Sequence, residues 1–441
     1  MAVAEAHDLY RARFDALAAR REATDPIWLA PIRARAMQRF VALGFPTTRH
    51  EEWRFTNIAP IAATAFAEPS ITAVDRSTIA PFDVRGMSCT RLVFVNGHFS
   101  EALSSAGALG AGVRATNLAT VLAVDPGLVD PYITRCASDE DQALVALNTA
   151  FAHDGAVIHV PARTVVPDPI HVIYLSTTSG APTVSHPRTT IVVGDQSQVK
   201  IIESYGGPDG EVYFTNAVTE VVGGAGSHVE HVRVQRESLS AYHVANTQVR
   251  LDRAAVYAQH SFVFGGALAR NDIGAWLGAE GIHCTLNGLY LASGTRLVDT
   301  HTAIDHAKPH CESHEVYKGM LDGASRGVFN GKIFVRLDAQ KTDAKQTNKV
   351  LLLSDDATIN TKPQLEIFAD DVKCTHGATV GQLDETQLFY LRARGIGEAQ
   401  ARAMLVHAFA SEVIDHVSLE PLRDSLESTL LTLLPKAALI G

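Results

Sequence analysis

Cysteine is scarce in this chain, and its few copies form no motif. Five are scattered over 441 residues, at Cys89, Cys136, Cys284, Cys311 and Cys374. An odd, widely spaced set excludes a disulfide framework and points to a reducing compartment, the cytoplasm. There is no Cys-x-x-Cys, so the usual spacing of a zinc or cluster site is absent as well. Long apolar runs are missing. No stretch approaches the roughly 20 apolar residues of a membrane span, and nothing near the start resembles a signal sequence. Lys and Arg form no block, and the net charge is −10. That argues against nucleic acid or an anionic membrane as the main partner. Nucleotide motifs are lacking too. The nearest text to a phosphate loop, Gly327-Val328-Phe329-Asn330-Gly331-Lys332-Ile333, has the wrong spacing and no hydroxyl after the lysine. The chain is therefore not expected to hold ATP by itself. No dinucleotide fingerprint and no Gly-x-Ser-x-Gly elbow occur.

What remains is an ordinary globular composition, 46% hydrophobic and 20% charged, with length enough for several structural units. The first unit, residues 1–154, is helical and mixed. Tyr10, Phe14 and Leu17 recur at helical spacing within residues 4–21. A second helix is expected from Pro31, with Ile32, Ala36, Phe40 and Leu43 on one face and Gly44 as its stop. Arg91 to Ser100 reads as a hairpin turning at Asn96-Gly97. Residues 139–152 read as a helix, the last one for over two hundred residues.

From Gly155 the period changes to that of short strands rich in β-branched residues, such as Thr189-Thr190-Ile191-Val192-Val193. A loose repeat then emerges. Val193-Gly194-Asp195-Gln196 is echoed by Val222-Gly223-Gly224-Ala225-Gly226, by Leu251-Asp252-Arg253-Ala254 and by Leu277-Gly278-Ala279-Glu280-Gly281. A second echo pairs Asn287-Gly288 with Asn330-Gly331. Strand, tight turn, strand, with no helix between, predicts a parallel β-helix over residues 155–382, with a double-sheet jelly roll as the competing architecture. Residues 383–441 return to helical spacing, with a cap at Asp384 or Thr386 and a last amphipathic helix from Leu422 to Leu434.

The candidate chemistry lies where the strands end, in Asp370-Asp371-Val372-Lys373-Cys374-Thr375-His376-Gly377-Ala378-Thr379-Val380-Gly381. Alternate residues of a strand share a face, so Cys374 and His376 point the same way. A thiolate and an imidazole make half of a tetrahedral metal site, and a second protein is expected to supply the rest. A lone Cys-x-His also suits plain strand packing. The histidines and cysteine at His301, His306, His310, Cys311 and His314 fit no familiar zinc spacing and are expected to be solvated loop residues. Carboxylates at Asp252, Asp322, Asp338, Asp355 and Asp356 are explained by tight turns. They leave open one alternative, a β-helix enzyme acting on acidic polysaccharide.

Several runs carry more than their spacing: Glu315 to Gly319, Arg326 to Lys332, Lys341 to Asn348, Asn360 to Ile367, Asp370 to Gly381 and Gln387 to Ile396. Together with Glu52-Trp53-Arg54-Phe55-Thr56 and Val93-Phe94-Val95-Asn96-Gly97, they resemble the SufB/SufD family of the SUF iron–sulfur cluster assembly machinery. The text at Thr375-His376-Gly377-Ala378-Thr379 is similar to SufD-type members, whereas SufB reads Glu-His-Glu-Ala-Thr and usually carries an N-terminal cysteine motif that is absent here. The resemblance implies a right-handed parallel β-helix (a β-solenoid, mainly β) flanked by N-terminal and C-terminal α-helical domains. It implies a non-catalytic scaffold subunit of the SufBCD complex, with a role in iron entry. SufB would pair through the β-helix ends, and the SufC ATPase would dock on the C-terminal helical domain. It implies no cofactor in the isolated chain, and iron or a nascent iron–sulfur cluster in the complex. Cys374 and His376 would be the metal residues, sharing their site with a SufB cysteine and carboxylate. A homodimer in isolation is expected to cover the surface otherwise left bare.

Overall fold

The structure, a computed structural model, describes residues 3–21, 24–68, 71–72, 74–178 and 180–433. It opens with α1 (Val3–Arg21), α2 (Leu29–Leu43) and the short α3 (Ala59–Ala63). The second helix starts slightly before Pro31 and stops at Gly44, whose φ of 69° a residue with a side chain would resist. Strands β1 (Thr90–Val95), β2 (His98–Phe99) and β3 (Arg114–Asn117) follow, then α4 (Leu118–Val124) and α5 (Ala143–Phe151). The expected hairpin is present: Phe94 pairs with Phe99 and Val95 with His98, turning through Asn96 and Gly97, both left-handed.

Every later strand belongs to one repeating pattern. β4 (Ala156–Val160), β5 (Ile170–Leu175), β6 (Thr183–Ser185), β7 (Arg188–Val193), β8 (Gln198–Gly206), β9 (Tyr213–Gly223) and β10 (His228–Arg236) build the first turns. β11 (Tyr242–Leu251), β12 (Val256–Val263), β13 (Leu268–Leu277), β14 (His283–Ala292) and β15 (Leu297–His306) continue them. β16 (Glu312–Leu321), β17 (Arg326–Val335), β18 (Asp343–Leu352), β19 (Thr358–Ile367) and β20 (Lys373–Gly381) complete the column. Two sheets result. Sheet I runs β2-β1-β5-β8-β10-β12-β14-β16-β18-β20, and sheet II runs β19-β17-β15-β13-β11-β9-β7-β4-β3. All pairings from β7 onward are parallel, so the chain winds as a β-solenoid, not a jelly roll.

The loose repeat marks one corner of this winding. Gln196, Gly226, Ala254, Gly281, His310 and Lys341 all have φ between 55° and 70°. Each donates its N–H to a carbonyl of the next turn, at Ala225, Arg253, Glu280, Pro309, Gln340 and Asp371, over 2.6–3.3 Å. A non-glycine residue there costs roughly 1 kcal/mol of backbone strain, about what one such hydrogen bond returns. The corner therefore tolerates many residue types, which is why the repeat is degenerate. Asn287-Gly288 and Asn330-Gly331 are not equivalent positions; they lie mid-strand in different sheets.

The lumen between the sheets is filled mostly by apolar side chains, among them Val199, Val229, Tyr257, Ile273, Cys284, Leu286, Ile304 and Phe329. Helices cover the outside. The α1–α2–α5 unit packs on the outer face of sheet II against Val184, Phe214, Val244 and Leu268. The C-terminal helices α6 (Glu385–Ala393), α7 (Glu398–Ile414) and α8 (Glu420–Leu433) follow β20. The Asp384 carboxylate caps α6 by accepting from the N–H groups of Thr386 and Gln387. Val406, Ala410, Val413, Leu422, Leu426 and Leu430 then bury against Val232, Phe262, Leu289 and Met320 on the outer face of sheet I. Residue 434, the expected end of the last helix, lies outside the described residues.

Candidate functional site

Among the described residues the solenoid has one end that no further strand covers. β20 and β19 terminate their sheets, so each leaves a row of backbone N–H and C=O groups unpaired. Cys374 pairs in register with Ala344, and His376 with Gln346. Ala344 and Gln346 are buried at 0% and 2% exposure. The Cys374 and His376 side chains thus belong to the inner face and sit at the mouth of the lumen, Cys374 half-buried and His376 exposed. Burial pushes the Cys374 thiol up, opposed by the Ala344 backbone and assisted by the Asp343 carboxylate. A metal taken here must displace that proton. Among the described residues no three His, Cys, Asp or Glu converge as a metal site. The mouth alone therefore offers two ligands, half of a tetrahedral set.

Its surroundings suit contact with another surface. Ile367, Phe368, Val380, Phe389 and Tyr390 are exposed apolar residues carried by β19, the following turn, β20 and α6. Open strand edges beside exposed apolar side chains invite a partner.

The histidine cluster disperses. His301 lies on the outer face of sheet II, 3.1 Å from Asp299 and 3.2 Å from Glu52. Burial lowers its pKa, but these carboxylates raise it to about 9. His306 is buried and bonds Ser313 at 2.9 Å, while burial holds it near 4. His310 occupies the left-handed corner, and the Cys311 thiol donates to the Ala279 carbonyl at 3.2 Å. These residues are not all solvated loop positions as expected, because His301 and His306 lie on β15 and His306 and Cys311 are buried; nor do they share a centre. The turn carboxylates scatter as well, Asp252 and Asp338 near one corner and Asp322 and Asp355 near the other.

The Glu52-Trp53-Arg54-Phe55-Thr56 segment has a clear task. Trp53 stacks on the Arg270 guanidinium at 3.8 Å, Thr56 donates to Asp299 at 2.6 Å, and Arg270 donates to the Glu52 carbonyl at 2.7 Å. It straps the N-terminal unit onto sheet II. Sequence spacing also missed the residues beneath the mouth, Gln346 and Glu315, which share an inner column with His376. Aligning the turns at their period of about 30 residues would have stacked them.

The geometry defines a β-solenoid protein with a cysteine–histidine pair at an open end. Residues 4–172 match the model of the SufBD protein N-terminal region, and residues 174–409 that of the SUF system FeS cluster assembly SufBD core domain. The chain therefore belongs to the SufB/SufD family of the SUF iron–sulfur cluster assembly system. It is 34% identical over 393 residues to an iron-sulfur cluster assembly SufBD family protein of Synechocystis, covering 87% of this chain and 86% of that one. It is 30% identical over 415 residues to the iron-sulfur cluster assembly protein SufD of Escherichia coli (93% and 94% covered). It is 25% identical over 416 residues to SufD of Bacillus subtilis (92% and 94%).

Proposed function

We propose that the chain acts as a SufD-type, non-catalytic scaffold subunit: it meets SufB at the open solenoid end and helps admit iron to a cluster built between them. The observation that carries this is the placement of Cys374 and His376 on the last turn, on the inner face at the mouth of the lumen, beside an open strand edge. A partner strand laid along β20 would bring its own ligands against them. His376 is the better first ligand, since a neutral imidazole binds ferrous iron without losing a proton. Cys374, its thiol pushed up by burial, joins once a cation or a neighbouring charge favours the thiolate. The SufC ATPase would supply the nucleotide chemistry for which this chain has no motif. Its dock is the C-terminal helical unit, which keeps Phe389, Tyr390 and Met404 exposed after burying its other face on sheet I. Among the described residues no helix is long and apolar enough to cross a membrane, and the five free cysteines suit the cytoplasm.

The test is iron and acid-labile sulfide in the chain co-purified anaerobically with SufB and SufC. His376→Ala should leave the complex assembled and lower its cluster content several-fold. Unchanged content would make the mouth residues structural.

A further inference from the structure

The lumen directly behind the mouth is polar. Glu315 pairs in register with Gln346, and Tyr317 with Asn348, so four inward side chains form a square on β16 and β18. They are exposed by only 1%, 2%, 1% and 1% in that order. Gln346 is the inner neighbour of His376, and Asn348 of Ala378. Adjacent strands lie about 4.8 Å apart, which puts Glu315 roughly 10 Å below the mouth.

Each amide uses a donor and keeps its acceptor unused. Gln346 Nε2 donates to Glu315 at 2.5 Å, and Asn348 Nδ2 donates to Thr361 at 2.9 Å. Gln346 Oε1, Asn348 Oδ1 and the Tyr317 hydroxyl have no partner. Across the lumen, a side chain at Gly331 would come within 2.3 Å of the Gln346 amide, so glycine leaves that amide its room.

A second observation comes from charge. Four other buried carboxylates each have a basic neighbour. Glu203 has His231 at 3.1 Å and Arg233 at 3.3 Å; Glu220 has Arg188 at 2.6 Å; Glu237 has His243 at 2.8 Å; Asp299 has Arg270 at 2.7 Å. Glu315 has none. Burial drives its carboxyl up to about 7 against the pull of Gln346 and Thr302. A buried carboxylate without a counter-charge, ringed by unpartnered oxygens, is a place made for a cation.

We propose that Glu315, Tyr317, Gln346 and Asn348 bind a divalent cation of the manganous or ferrous kind inside the lumen, behind the Cys374/His376 pair. Carboxylate, amide carbonyl and hydroxyl oxygens suit such hard ions, whereas the thiol and imidazole at the mouth suit softer ones. The two sets form a path of increasing softness from lumen to mouth. This deepens the assembly reading by naming a second station for its metal, yet it rests on the lumen geometry alone.

The experiment uses the full isolated chain carrying Cys374→Ala and His376→Ala, titrated with manganese(II) at pH 8 and followed by the loss of free-ion EPR signal. One manganese per chain is expected. Adding Glu315→Gln should weaken it at least tenfold, and Tyr317→Phe, which keeps the ring in place, should weaken it measurably. Circular dichroism melts establish that each variant is folded. No binding in the double variant, or binding that Glu315→Gln and Tyr317→Phe leave unchanged, overturns the proposal. Either result leaves the co-purification test of the mouth untouched.

Discussion

Glu220 shows how single residues hold this fold. Its carboxylate accepts from Arg188 at 2.6 Å and from the backbone N–H groups of Thr134, Cys136 and Ala137 at 2.9–3.1 Å. Both members of the ion pair are fully buried. Removing one partner strands the other, so Arg188→Ala should cost about 3–5 kcal/mol in a denaturant melt; a loss under 1 kcal/mol would show the pair to be dispensable. His301 gives a pH dependence of known sign. Its folded pKa, about 9, lies above the unfolded value of about 6.5. The protonated ring therefore stabilises the fold fully below that lower value, and the gain is lost as pH rises through the higher one. Thermal melts should fall between pH 7 and 9, and His301→Gln should flatten that slope; an equal slope in the variant would refute the assignment. Glu315 runs the other way from the usual carboxylate. Its folded value near 7 exceeds the ordinary carboxylate value, so metal-free protein loses stability as pH rises through this window. Of these residues, Cys374 and His376 were legible from a period of two. Gln346 and Glu315 were not, because only the winding register brings residues some 30 positions apart into one column.

Among elements, the corner and the inner glycines carry the design. The corner was visible in the sequence as a degenerate repeat, since a left-handed residue stabilised by a bond to the next turn need not be glycine. The mid-strand glycines were not interpretable without the register. Gly288 faces Tyr317, whose ring would lie 2.2 Å from an added Cβ. Gly288→Ala should therefore destabilise by about 1–3 kcal/mol through overpacking. Gly377, on the open strand β20, has nothing within 4 Å of that position, and Gly377→Ala should leave the melt of the isolated chain unchanged. Equal effects at the two sites would contradict the register of β14 and β16. The C-terminal helices were legible as amphipathic, but their dock was not. It depends on Val232, Phe262, Leu289 and Met320 on the outer face of sheet I meeting Val413 and Leu426, a match made in space alone. Lys318 reinforces it from within the sheet, donating to the Phe409 carbonyl at 2.8 Å and pairing with Glu412.

For the whole molecule, the winding has two unlike ends. The first turns adjoin a hairpin, the antiparallel strand β3 and the N-terminal helices, strapped down by Trp53 on Arg270. Among the described residues no strand covers the edge of the last turn: β19 and β20 are half-exposed or exposed along their length, while β17 before them is largely buried. Parallel edges of that kind are a liability unless something covers them. The parallel β-helix followed from the lack of helices between strands. The openness of its end did not, since nothing in a strand's own residues says whether another strand follows in space. The proposed function puts the contact with SufB at that end. The most direct measurement is backbone hydrogen exchange of the full chain with and without SufB. Slowed exchange concentrated in β19 and β20, with the N-terminal turns unaltered, is the expected result. Protection confined to other strands, with β19 and β20 exchanging as fast as before, would contradict it.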